Sequence, residues 1–152
     1  MIKKIVGVVL LLSSLIFAKV TNIPATKEFV ENTKMKIIDI RTKGEWMQMG
    51  IIKGAYLITF FDERYGYDVK EFLAELNSVV DKDEKFAIIC NSGSRTKLVA
   101  NFLGVKNNYN VVNLTGGMIK LLSDGYKPEF YNPKAIKNLS TETPVTESNT
   151  SN

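Results

Sequence analysis

Short apolar runs rich in β-branched residues alternate along this chain with stretches whose apolar positions recur every three or four residues. Lys36-Ile37-Ile38-Asp39-Ile40 predicts a strand, and so does Val111-Val112-Asn113-Leu114. Phe86-Ala87-Ile88-Ile89 is an unbroken apolar run, the pattern of a strand covered on both faces. Val69, Phe72, Leu73, Leu76, Val79 and Val80 share one helical face. Ahead of them, Asp68-Val69-Lys70-Glu71 resembles a capping box. Leu98, Val99, Phe102 and Leu103 mark a further helix, which Gly104 is placed to end. Met118 to Ser123 is a last helix, with Gly125 as its stop. No internal repeat is visible. Parallel strands need crossover connections, so this alternation predicts an α/β fold: a mainly parallel central sheet with helices on both faces.

The two ends follow different patterns. Lys3 and Lys4 precede Ile5 to Phe17, a run without charge. About 20 apolar residues are needed to span a bilayer, so this run is short for an anchor and suits a signal peptide. Ala18 supplies the small residue before a cleavage point, and residues 1–18 are expected to be removed; an uncleaved anchor is the alternative. No Cys follows the run, so a lipid anchor is not expected. The mature chain then begins at Lys19, has no stable membrane span, and is exported, to the periplasm of a bacterium. Residues 132–152 hold no aromatic residue, and Ser, Thr and Asn dominate after Asn138. Such a segment buries too little apolar surface to offset its ordering entropy, so a flexible tail is expected. Glu147-Ser148-Asn149-Thr150-Ser151 fits the acceptor pattern of bacterial periplasmic N-glycosylation at Asn149, although chance in so biased a segment is the plainer reading. Residues 19–131 remain for one folded unit.

Composition narrows the chemistry. The chain has 152 residues, 45% apolar and 24% charged, an ordinary globular balance. Its net charge of +4 falls to +2 once Lys3 and Lys4 are set aside, leaving 18 basic against 16 acidic residues. No basic stripe survives, so no nucleic-acid partner is expected. There is no His and one Cys. That excludes Cys–His and Ser–His pairs, imidazole zinc sites, an intramolecular disulfide and a CxxC redox pair. No metal or cofactor is expected.

Ligands of parallel sheets bind beyond the carboxyl ends of the strands. The single Cys stands at such a point, where Phe86–Ile89 runs into Cys90-Asn91-Ser92-Gly93-Ser94-Arg95-Thr96 and a helix follows. Gly93 permits a tight turn. The small residues around it let successive N–H groups form an anion-binding nest at the helix N-terminus, and Arg95 adds a full positive charge. Thiolate is the reactive form of a Cys, and all three features favour it without any His. Taken singly, Cys90 also suits a small buried hydrophobe and Arg95 a solvated helix residue.

Four segments in order carry a resemblance to the single-domain rhodaneses, sulfurtransferases that hold sulfur as a cysteine persulfide. Asp39-Ile40-Arg41 with Glu45-Trp46 is similar to the family's N-terminal motif, and Gly50-Ile51-Ile52-Lys53-Gly54-Ala55 to its Gly-His-Ile-x-Gly-Ala element. Cys90 to Thr96 resembles the active-site loop, and Leu114-Thr115-Gly116-Gly117-Met118 the Gly-Gly-Met motif. Ile51 replaces the usual His, and Leu121 a frequent Trp. Asn91 stands where many thiosulfate-using members carry Arg or Lys, which argues against thiosulfate as donor.

The resemblance implies a rhodanese-like fold and transfer of sulfane sulfur through a Cys90 persulfide to a nucleophilic acceptor, with the amides of Asn91, Ser92, Gly93, Ser94, Arg95 and Thr96 holding its charge. The implied partners are a small sulfur-containing anion or persulfide as donor and a thiol or protein as acceptor. One alternative is a persulfide carrier that loads once and passes its sulfur only to a protein partner. Another is phosphatase or arsenate-reductase chemistry at a Cys–Arg loop. Four residues separate Cys90 from Arg95, against five in the cysteine phosphatases, so the cradle is small for a tetrahedral anion. Asp39 and Arg41 are supporting residues: Asp39 either orients a catalytic group or fixes a loop, and Arg41 and Glu45 are spaced for a structural ion pair. Phe60, Phe61, Tyr65 and Tyr67 cluster as core or as a pocket rim.

Overall fold

The computed structural model describes residues 19–134. The expected signal peptide, most of the expected tail, and Asn149 lie outside these residues. Five strands form one parallel sheet in the order β1-β5-β4-β2-β3. They are β1 (Val20–Pro24), β2 (Ile37–Asp39), β3 (Tyr56–Leu57), β4 (Lys85–Ile89) and β5 (Asn110–Thr115). The helices are α1 (Lys27–Asn32), α2 (Lys43–Met49), α3 (Val69–Val79), α4 (Ser94–Asn101) and α5 (Gly117–Ser123). Among the described residues, no helix is long and apolar enough to cross a membrane.

The period of two along the strands divides the core into two layers. Ile38, Phe86, Ile88 and Cys90 point to one face and pack with Phe72 and Leu76 of α3 and Val99 and Ala100 of α4. Ile37, Ala87, Ile89, Val112 and Leu114 point to the other and pack with Val30 of α1 and Met118 and Leu121 of α5. Phe86 to Ile89 have no exposed surface, as the unbroken apolar run predicts. Helices therefore cover both faces.

Three local expectations change in detail. Gly104 does not end a helix: α4 continues into a π-helical turn, Phe102–Lys106, that contains it. A Cβ at residue 104 would lie 2.4 Å from Val20 Cγ2, so the glycine is there to let β1 pass close by. At α3, Asp68 caps the helix by accepting from the Glu71 amide at 2.9 Å. The fully reciprocal capping box stands instead at α2, where Thr42 Oγ1 accepts from the Glu45 amide and Glu45 Oε2 from the Thr42 amide. Arg41 pairs with Asp39 rather than with the Glu45 carboxylate, at 2.7 Å with both side chains fully buried. Helical i,i+4 spacing does not apply, because Arg41 lies ahead of α2 and its chain turns back toward β2.

Candidate functional site

The pairing register gathers three loops at one edge. Asp39 lies beside Ile89, and the Ile40 amide donates to the Ile89 carbonyl at 3.0 Å. Ile88 lies beside Asn113 on the other side. The chain leaving β4 at Cys90 is thus flanked by the β2–α2 connection and the β5–α5 connection.

The Cys90 loop is held from behind by α5. The Met118 amide donates to the Cys90 carbonyl at 2.9 Å, and the Ile119 amide to the Asn91 carbonyl at 3.0 Å. Residue 117 must be Gly for this docking. Its φ is +58°, and a Cβ there would lie 2.5 Å from both of those carbonyl oxygens. The Gly-Gly-Met segment is therefore the backing plate of the Cys loop.

Within the loop, Gly93 has φ +91° and turns the chain into α4. That turn directs its amide to Cys90 Sγ at 3.2 Å. The Cys90 thiol lies 3.7 Å from Thr96 Oγ1, and the Thr96 hydroxyl donates to the Gly93 carbonyl at 3.1 Å. Thr96 is itself fully buried. The sulfur is thus enclosed by the first turn of α4, where unpaired N–H groups and the helix dipole favour negative charge. Ser92 and Ser94 share a hydroxyl contact of 3.2 Å on the outer side of the turn. Asn91 Oδ1 is buried without a hydrogen-bond partner among the described residues.

Arg95 is held by Glu45. The two form a bidentate ion pair, Nη1 donating to Oε2 at 2.7 Å and Nη2 to Oε1. Burial alone pushes the Glu45 carboxyl up, but the Arg95 bonds, the Thr42 amide and the charges of Arg95 and Arg41 outweigh it and hold the group below its usual range. Arg95 is pushed up correspondingly, chiefly by its bond to Glu45 against the opposing effect of burial, with smaller contributions from Cys90 and Tyr65 nearby. The full charge expected of Arg95 is therefore shared with a carboxylate 50 positions away in sequence.

Asp39 and Arg41 are brought near the loop but act on the scaffold. Arg41 Nε donates to Asp39 Oδ1 at 2.9 Å, Nη2 to the Gly50 carbonyl at 2.7 Å, and the Thr59 hydroxyl donates to the Arg41 carbonyl at 2.8 Å. Asp39 Oδ1 also accepts from the Arg41 amide at 3.1 Å. The aromatic cluster divides. Phe60 is buried, edge-on to Phe72 at 4.7 Å, whereas Phe61 and Tyr65 reach a cavity beside the Cys loop.

That cavity, about 400 Å3, is lined by Asn91, Ser92, Ser94 and Arg95 of the loop and by Phe61 and Tyr65. Its acidic walls come from Glu45, Asp62 and Glu63. A larger cavity of about 470 Å3 lies against Trp46, Phe60, Tyr67 and Phe72, but no Cys-loop residue lines it. Residues of the Cys90 loop, though not Cys90 itself, line the smaller one. Sequence reasoning placed the Cys loop but missed the Glu45 clamp and the Asp62–Glu63 wall. The clamp left a readable trace, since Thr42-Lys43-Gly44-Glu45 has the Thr-x-x-Glu form that starts a helix and aims residue 45.

Similarity to known proteins agrees with this architecture. A family model described as "Rhodanese-like domain" matches residues 24–124. An uncharacterized protein of Rickettsia conorii, RC0915, is 34% identical over 104 residues, covering 60% of this chain and 80% of the relative. The crystal structure of SSP1007 from Staphylococcus saprophyticus is 30% identical with a TM-score of 0.54, covering 70% of this chain and 98% of that one. A rhodanese-like domain protein from Staphylococcus aureus is 27% identical with a TM-score of 0.53, covering 72% and 98%. The matched residues 24–124 contain both the Cys loop and the Gly-Gly segment, and the chain belongs to the rhodanese-like domain family.

Proposed function

We propose that this protein is a sulfurtransferase that carries sulfane sulfur as a persulfide on Cys90. The observation that supports it best is the seat of Sγ, 3.2 Å from the Gly93 amide at the N-terminus of α4. A Cys90 thiolate attacks the outer sulfur of a donor; the donor's S–S bond breaks, and its former partner leaves with the electron pair. The persulfide anion then occupies the loop, where the Gly93 amide and the first turn of α4 act on sulfur as an oxyanion hole acts on oxygen. An acceptor nucleophile removes the sulfur and returns Cys90 to thiolate, a ping-pong cycle.

Sγ is fully covered in this loop conformation, so transfer requires the Asn91–Ser94 turn to yield on the cavity side. Thiosulfate is the less suitable donor. Asn91 supplies no cation beside the nucleophile, and Glu45 shares the charge of Arg95. We place the reaction in the periplasm, on the strength of Lys3, Lys4 and the apolar run to Phe17. Steady-state assay with a small persulfide donor and a thiol acceptor tests the enzymatic reading. Many turnovers per Cys90 are expected; a single loading followed by arrest would assign a carrier instead.

A further inference from the structure

The cavity beside the Cys90 loop has small-molecule size, and its charge is unusual for a site that receives sulfur anions. Among the described residues that line it, Glu45, Asp62 and Glu63 are acidic and Arg95 is basic. Glu45 and Arg95 satisfy each other, which leaves Asp62 and Glu63 as the uncompensated charges of the wall. Arg64 lies between them and Tyr65 in sequence but does not line the cavity.

This wall is built rather than incidental. Asp62 Oδ1 accepts from the Arg64 amide at 2.7 Å and the Gly66 amide at 2.8 Å. The turn closes with the Tyr65 amide on the Asp62 carbonyl at 3.1 Å and the Asp62 amide on the Gly66 carbonyl at 2.8 Å. Tyr65 is thereby held at φ +61°, a left-handed conformation that is an outlier for a bulky residue, with 80% of its surface exposed. Aromatic faces and carboxylates are the two groups that attract an ammonium ion, and here they share one cavity. A dianion entering the same space meets like charge.

We propose that the small thiol or persulfide exchanging sulfur with Cys90 carries an ammonium group, held between the Asp62 and Glu63 carboxylates and the Tyr65 ring. This assignment of substrate class rests on the sulfur-transfer reading. In the exchange, the thiolate of the ammonium-bearing acceptor attacks the outer sulfur of the Cys90 persulfide. A new S–S bond forms, the bond from Sγ to that sulfur breaks, and Sγ keeps the electron pair. The proton that the persulfide takes up from solvent before transfer leaves on the product, so no oxidant or reductant is needed.

Cys90 is the chain's single thiol, so charge selectivity is measurable without sulfur transfer. The probes are 2-(trimethylammonium)ethyl and 2-sulfonatoethyl methanethiosulfonate. Each passes its thioalkyl group to the thiolate and releases methanesulfinate. Labelling is followed by intact mass on the folded protein, and each rate is divided by that of free 2-mercaptoethanol. We expect the cationic-to-anionic ratio to exceed that of the free thiol by about tenfold at low salt, and to shrink as salt rises. Asp62→Asn with Glu63→Gln keeps acceptor oxygens for the turn and should lower the ratio at least about threefold. Tyr65→Leu should slow the cationic probe and spare the anionic one.

A wild-type ratio equal to that of the free thiol, or one unchanged in the double variant, overturns the proposal. A parallel exchange assay loads the protein with a persulfide and compares cysteamine with 2-mercaptoethanol as acceptor, expecting the carboxylates to favour cysteamine. Loading without charge selectivity refutes the ammonium assignment alone. Selectivity in labelling without any persulfide loading refutes the sulfur-transfer reading, and with it the substrate assignment, leaving only a cation-attracting cavity.

Discussion

Two Arg–carboxylate pairs stand at the same end of the sheet and serve different ends. Asp39–Arg41 is fully buried, two residues apart, and tied to backbone groups at Arg41, Glu45 and Gly50. Glu45–Arg95 is partly exposed, joins two elements 50 positions apart, and faces the cavity. Burying an ion pair is favourable only when its remaining donors and acceptors are also satisfied, and the first pair meets that condition through the Gly50 and Glu45 carbonyls and the Arg41 amide. The second keeps contact with water, so less of its worth lies in stability and more in the potential beside Cys90. Identical chemistry becomes a structural staple or an electrostatic control according to how much solvent reaches it.

The sharpest break between them is in stability. Asp39→Ala leaves the Arg41 guanidinium buried without its carboxylate, and should cost about 3–5 kcal/mol by denaturant titration, enough to threaten folding. Glu45→Gln, by contrast, should cost only about 1 kcal/mol. Equal losses at the two sites would dissolve the distinction. The backing plate gives an intermediate case. Gly117→Ala combines a strained φ with a Cβ against two carbonyl oxygens, and is expected to lower stability by roughly 2–3 kcal/mol and to slow Cys90 reactions as the loop shifts.

Acid sharpens the comparison further. The Glu45 carboxyl is held below its usual range in the folded protein, so its contribution is complete above the ordinary carboxylate value and is lost as pH falls through the lowered one. Wild type should therefore exceed Glu45→Gln in melting temperature near neutrality, with the gap closing as the solution is acidified below about pH 4. A gap independent of pH would show that Gln fails through packing instead.

The smallest expected effects concern donor choice. Asn91→Arg places a second cation beside Cys90 and should raise kcat/KM for thiosulfate about tenfold, with a smaller gain for a neutral donor. Equal gains for charged and neutral donors would show that residue 91 acts through loop shape.

What the sequence disclosed follows the same division between local and distant causes. The β2, β4 and β5 runs and the apolar face of α3 are legible because each carries its own period. The Cys90–Thr96 loop is legible because Gly93 and Arg95 stand close to Cys90 in the chain. β1, α1 and the two-residue β3 carry too few apolar positions to declare themselves, and are completed by partners such as β5, whose residues Val111–Thr115 align with Val20–Pro24. Gly104 has the residue type of a helix stop, but its cause is the close passage of Val20, far away in sequence. Spacing matches Glu45 to Arg41, while its partner Arg95 arrives only when β2 and β4 pair.

The central claim is that Cys90 holds sulfur, and intact mass measures it most directly. Wild-type protein treated with a small persulfide donor should gain the mass of one sulfur atom and lose it to cyanide, while Cys90→Ser should do neither. Wild type that gains nothing, or an adduct that persists in Cys90→Ser, would contradict the account, because no other Cys exists in the chain to carry it.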